Sequence, residues 1–119
     1  GYLSVPRLEE SAQFADSTHA YYKLYVYVQS DNLPKEWSRD RIIEEINDLG
    51  VLCFSGSASE VYLEKAFDNT GLRPETRLPV AKQLGETSLM FLVHPTLTED
   101  EIKQTVQAID SVFTKIHGQ

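Results

Sequence analysis

The sequence predicts one small domain of the α+β class, in which strand-like and helical segments alternate along the chain. Three observations carry that prediction. Residues 21–29 alternate, with Tyr22, Leu24, Val26 and Val28 on one face and Tyr21, Lys23, Tyr25, Tyr27 and Gln29 on the other, the period-2 pattern of a half-buried strand. The run Ser88-Leu89-Met90-Phe91-Leu92-Val93 is short and apolar, which suits a strand covered on both faces. Thr98 and Glu101 are spaced as a capping box ahead of a helical pattern, with Leu97 and Ile102 at the positions of a hydrophobic staple.

The elements between and around these anchors follow from local chemistry. Residues 1–18 mix Pro6, Arg7 and the pair Glu9-Glu10 without a period, and read as an extended arm or connector ahead of a single domain over 19–119. After the first strand, Asp31-Asn32 and Pro34 mark a turn. Ser38 caps the next helix, with Trp37 and Ile42 as a second staple. Ile42, Ile43, Ile46 and Leu49 form its apolar stripe, and Gly50 stands where a helix-ending left-handed residue is wanted. Val51 to Phe54 is a second, short strand. Ser57 and Glu60 again have capping-box spacing, which predicts a helix from the serine loop to about Phe67. Asp68-Asn69-Thr70-Gly71 would end that helix, and a polar connector follows. Leu78-Pro79 opens a further helix with proline at its first position, and Gly85 is placed to close it.

The last helix is expected from Glu99 to Lys115, with Ile102, Val106, Ile109, Phe113 and Ile116 on its buried face. Glu99, Asp100 and Glu101 load the positive end of its dipole, while Lys115 and His117 sit at the negative end. The order is therefore β-α-β-α-α-β-α. One helix between the first two strands favours a crossover that lays them parallel.

Bulk properties exclude several classes of function. A chain of 119 residues, 41% hydrophobic and 24% charged, is long enough to bury a core. The net charge of −7 and the scattered lysines and arginines argue against nucleic-acid binding, which needs clustered cations. No apolar stretch approaches the ~18 residues a membrane helix requires. The single cysteine, Cys53, has no partner for an internal disulfide, which suits a reducing, cytoplasmic setting. No secretory pattern opens the chain. The absence of an initiating methionine leaves two readings: processing, or excision from a longer polypeptide.

Candidate chemistry is sparse. Ser55-Gly56-Ser57-Ala58-Ser59 precedes a predicted helix start, where free N–H groups can hold an anion; the plainer reading is a strand-to-helix turn that satisfies cap geometry. Glu60 and Glu64 would share a helix face and are read as exposed rather than as an acid–base pair. His19, His94 and His117 have no second ligand at metal spacing. Cys53, flanked by Leu52 and Phe54, reads as a buried, inert thiol.

Taken as an ordered series, several segments resemble a known family. They are His19-Ala20-Tyr21-Tyr22 leading into a strand, the helix Arg41-Ile42-Ile43-Glu44-Glu45-Ile46 ending in Leu49-Gly50-Val51, then Leu78-Pro79-Val80-Ala81, and His94-Pro95-Thr96-Leu97-Thr98 running into Glu99-Asp100-Glu101-Ile102. The series resembles the C-terminal domain of DegT/DnrJ/StrS-type sugar aminotransferases, over roughly residues 19 to 116.

That resemblance implies a small mixed or antiparallel three-stranded sheet with helices packed on it, like the small domain of aspartate-aminotransferase-fold enzymes. It implies pyridoxal phosphate in the full-length enzyme, held through a Schiff-base lysine in a large domain upstream, and none bound by this fragment alone. It also implies a nucleotide-linked keto-sugar substrate and a homodimer. None of Lys23, Lys35, Lys65, Lys82, Lys103 or Lys115 aligns with the cofactor lysine, so no catalytic, cofactor-binding or metal residue is carried over. The chain also lacks the family's Leu-Pro step before the His-Pro turn, and its Phe54 to Tyr62 stretch does not match residue by residue. Ser55, Ser57, Glu60 and Tyr62 are substrate-side candidates from position alone. The competing expectation is a stand-alone ligand-binding or regulatory α+β module. An exposed patch around Tyr21, Tyr25 and Tyr27, where a large domain docks, would favour the aminotransferase piece over that module.

Overall fold

Alternation along residues 23–28 places Val26 and Val28 in the interior, while Tyr25 and Tyr27 point to the opposite face of the sheet. The computed structural model, which describes residues 1–6, 16 and 20–118, builds this segment as β2 (Lys23–Val28) of a four-stranded antiparallel sheet. The elements in chain order are β1 (Leu3–Ser4), β2, α1 (Arg39–Asp48), β3 (Cys53–Phe54), α2 (Pro79–Thr87), β4 (Ser88–Leu92) and α3 (Glu99–His117). Strand order across the sheet is β1-β2-β4-β3.

Both β2 and β3 run antiparallel to β4, so they are parallel to each other with β4 inserted between them. The crossover reading of the β2-α1-β3 unit thus holds for direction but not for adjacency. The expected three strands become four because Leu3 and Ser4 pair with Val28 and Tyr27. Two residues without a period leave no sequence signal for such a strand. Most of the expected arm, and His19, lie outside the described residues.

β4 takes the central position because its side chains are apolar on both faces. Leu89 and Phe91 join the core beneath the helices, and Met90 is buried on the other side. The core gathers Val26, Val28, Cys53, Leu89 and Phe91 from the sheet with Ile42 and Ile46 of α1 and Ala108, Val112 and Ile116 of α3. Ser38 caps α1 as expected, accepting from the Arg41 N–H at 3.2 Å, and Trp37 and Ile42 are both buried. Gly50 follows α1 with φ +81°, the left-handed conformation that glycine adopts without penalty. The Thr98/Glu101 capping box is present in full.

Three further expectations fail, each for a tertiary reason. Residues 57–67 form no α-helix; they make two 3-10 turns, Val61–Leu63 and Lys65–Phe67. The capping box that would start a helix is disassembled, because the Ser57 N–H donates to the Tyr25 hydroxyl at 3.3 Å and the Glu60 carboxylate is taken by Arg77. Second, α2 does not end at Gly85 but runs to Thr87. Near its end Arg39 supplies a donor, its guanidinium reaching Gly85 O of the last turn at 3.0 Å and Ser88 O at the start of β4 at 3.1 Å. Third, Ile102 and Val106 of α3 are exposed, at 51% and 59%. The buried ridge is Ala108, Val112 and Ile116, with Ile109 and Phe113 packed alongside it. α3 carries two adjacent apolar stripes, and α1 and the sheet cover one.

Candidate functional site

The four candidates Ser55, Ser57, Glu60 and Tyr62 lie on the loop that leaves β3 and reaches α2. The structure divides them into two clusters rather than one constellation. Ser57 meets Tyr25, whose hydroxyl lies 3.2 Å from Ser57 Oγ and accepts from the Ser57 N–H. The Ser57 hydrogen bond holds the Tyr25 hydroxyl below its ordinary pKa, against the opposing effect of burial. Gly56 makes this approach possible: it has φ +91°, and a Cβ there would stand 2.6 Å from the Tyr25 ring. Ser55 contributes its carbonyl, which accepts from the hydroxyl of the buried Ser88.

Glu60 and Tyr62 form the second cluster, centred on Arg77. Glu60 Oε1 accepts from the Tyr62 hydroxyl at 2.6 Å and from Arg77 Nε at 2.9 Å, and Glu60 Oε2 accepts from the second arm of the same guanidinium. This two-pronged geometry is the strong form of a carboxylate–arginine pair. The Tyr62 hydroxyl in turn accepts from the Leu78 N–H at 2.9 Å, at the mouth of α2. Glu60 is therefore not the exposed carboxylate its sequence position suggests; its side chain is only 11% accessible. Nor does it share a helix face with Glu64. Arg77, then Tyr62, pull its pKa down to about 2. Tyr62 is pushed above its ordinary value, first by burial and then by donating to Glu60. Arg77 is held more firmly protonated by Glu60.

Sequence reasoning missed Arg77. Its partner lies 17 positions away, outside the range of any helical or turn spacing, so no local pattern announces the pair.

The chemistry open to this arrangement is limited. A carboxylate held near 2 and saturated by donors is a poor general base at neutral pH, and here it fastens the loop to the start of α2. The serine loop has no helix behind it, so the anion-binding reading loses the dipole on which it depended. What remains is a polar, hydroxyl-lined surface at Tyr25 and Ser57. Cys53 faces the core, and burial pushes its thiol up to about 11, which leaves it protonated and inert. Among the described residues no cluster of three His, Cys, Asp or Glu side chains can hold a metal. No described helix is long and apolar enough to cross a membrane.

The residues present do not fit a pyridoxal-phosphate site. Lys115 is paired with Glu45 at 2.7 Å, Lys103 lies beside Glu99 and Asp100, and Lys35, Lys65 and Lys82 are exposed. Lys23 lies over the Tyr22 ring. None stands in a buried polar cup.

No family model matches the sequence, and no curated protein matches it either. Among solved structures, the aminotransferase from Psychrobacter cryohalolentis is 94% identical, with a TM-score of 0.94, over a match covering 98% of this chain and 30% of that one. The aminotransferase TlmJ from Streptoalloteichus hindustanus is 19% identical with a TM-score of 0.66, covering 84% of this chain and 24% of that one. At that identity the second likeness concerns the fold alone. The chain's structural neighbours are thus aminotransferases, and it spans less than a third of the length of either.

Proposed function

We propose that residues 19–119 are the small C-terminal domain of a pyridoxal-phosphate-dependent aminotransferase of the DegT/DnrJ/StrS type, acting on a nucleotide-linked keto sugar in the cytoplasm. The observation that carries this reading is the 94% identity, at a TM-score of 0.94, to 30% of an aminotransferase chain. The ordered motifs from His19 to Ile102 support the sugar-aminotransferase type.

In the complete enzyme the cofactor and its lysine belong to a large domain carried elsewhere in the polypeptide, and pyridoxal phosphate supplies the electron sink for amino transfer. This domain closes one side of the substrate cleft and supports a homodimer. The Ser57 and Tyr25 hydroxyls offer hydrogen bonds on the substrate side, and the Glu60–Tyr62–Arg77 clamp holds the loop that presents them. The isolated domain is catalytically silent.

The test is to express the longer aminotransferase polypeptide bearing these residues beside the isolated chain. The longer protein should show cofactor absorbance and aminate a nucleotide-linked keto sugar, and the isolated chain should do neither. Stoichiometric, saturable cofactor binding by the isolated chain would overturn the division of labour. Failure of the longer protein to turn over any such sugar would remove the substrate class.

A further inference from the structure

From Phe54 to Thr87 no residue is buried, although the segment contains an α-helix and two 3-10 turns. A segment of this length usually earns its order by sinking apolar side chains into a core. Here order comes from arginines. Arg73 donates to the carbonyls of Tyr62, Leu63 and Glu64 and to the Asp68 carboxylate. Arg77 grips Glu60, and Arg39 holds the far end of α2.

The apolar side chains are left outside. Val61, Leu63, Leu72, Leu78, Val80 and Leu84 are all exposed, with Leu72 at 72% and Val80 at 66%. Val80 and Leu84 are one turn apart on α2, so they form a stripe on one face. Scattered exposed apolar residues are ordinary, but six on one segment that buries no residue of its own make it a candidate for contact with a partner.

Charge points the same way. The acids of residues 61–87, Glu64, Asp68, Glu75 and Glu86, are matched one for one by Lys65, Arg73, Arg77 and Lys82. With Glu60, which Arg77 grips, the whole segment from Phe54 to Thr87 carries a net charge of −1 within a chain of net charge −7. Its burial therefore gathers little of the chain's net negative charge, which suits an interface, whose centre is depleted in charge.

Resting on the aminotransferase reading, we infer that the bare face of residues 61–84 packs against the cofactor-holding remainder of the polypeptide. The match to the Psychrobacter enzyme leaves more than two thirds of that chain outside it, ample to cover such a face. A second copy of this chain is the weaker occupant, because pairing two molecules of charge −7 opposes association. The face also adjoins the loop bearing Ser57, Glu60 and Tyr62, so its cover would border the substrate side of the cleft. Around the expected patch of Tyr21, Tyr25 and Tyr27, Tyr25 and Tyr27 are half-buried, while Tyr21 and its neighbour Tyr22 are exposed.

Hydroxyl-radical footprinting tests this on the isolated chain and on the longer aminotransferase polypeptide. Leu72 and Val80 should label freely in the isolated chain and several-fold less in the longer protein. The double variant Leu72→Asp/Val80→Asp should leave the isolated chain's melting midpoint unchanged and lower that of the longer protein. Equal labelling in both proteins would overturn the inference. So would a fall in the isolated chain's own midpoint, which would place these side chains in its core. An isolated-chain dimer that the variant dissociates would also overturn it, naming a second copy as occupant. Cofactor absorbance, read on the same longer protein, separates the two claims. Protection without absorbance sustains the interface and counts against the aminotransferase reading; absorbance without protection overturns the interface alone.

Discussion

The side-chain amide of Asn47 makes two hydrogen bonds to the main chain of Cys53: its Nδ2 donates to Cys53 O at 3.0 Å, and its Oδ1 accepts from Cys53 N at 2.9 Å. β3 is an edge strand paired on one side by β4, and edge strands expose unpaired backbone groups that invite association. Asn47, near the end of α1, acts as a one-residue surrogate strand on the open side. Asn47→Ala should cost about 1–3 kcal/mol, since it strands a partly buried donor and acceptor. Asn47→Asp should not restore the loss, because a carboxylate cannot donate to Cys53 O. Urea denaturation of the three proteins checks this, and unchanged midpoints in both variants would remove the role.

The Glu60–Arg77 pair gives stability a pH dependence of known sign. The folded carboxyl titrates at about 2, below its ordinary value of 4.5. The stabilisation is therefore fully present above the ordinary value and drains away as pH falls from about 4.5 toward 2. Glu60→Gln should lower the urea midpoint at pH 7, and its gap from the unsubstituted chain should close across that window. A gap that stays constant with pH would mean the charge is not what Arg77 recognises.

On α3 the two apolar stripes should respond differently to truncation. Ile116 is buried and Ile102 half-exposed. Ile116→Ala should cost about 2–5 kcal/mol, whereas Ile102→Ala should stay within about 0.5 kcal/mol, as for a surface site. The same denaturation experiment ranks them, and equal costs would place Ile102 in the core after all.

The Cys53 thiol should resist alkylation. Its pKa near 11 and its buried position leave almost no accessible thiolate at pH 8. Iodoacetamide should label it only on the timescale of unfolding and rapidly in denaturant, as mass spectrometry would show. Rapid labelling of the folded chain would contradict its place in the core.

Gly85, inside α2, offers a clean reading of one close contact. A Cβ on Gly85 would stand 2.2 Å from Ser59 Oγ and 3.4 Å from Ser59 Cβ. With Ser59→Ala already in place, Gly85→Ala should stabilise by about 0.5–1 kcal/mol through backbone entropy. With Ser59 present the gain should shrink, and a double-mutant cycle that shows no coupling would deny the contact.

Much of the molecule was settled by neighbours in sequence. The Ser38 and Thr98 caps, the Trp37/Ile42 staple, Gly50 after α1 and the doubly buried β4 all rest on groups within a few residues of each other, where chain geometry fixes who meets whom. The candidate site was legible only in position. Ser57 and Glu60 looked like partners because three residues separated them, yet each is claimed by a side chain far along the chain, Tyr25 or Arg77. The same competition erased the predicted helix, extended α2 past Gly85 toward Arg39, and decided which stripe of α3 is buried. A short-range signal prevails until a distant charged or aromatic group offers a better hydrogen bond or a better-packed surface, and only the folded chain reveals where such offers are made.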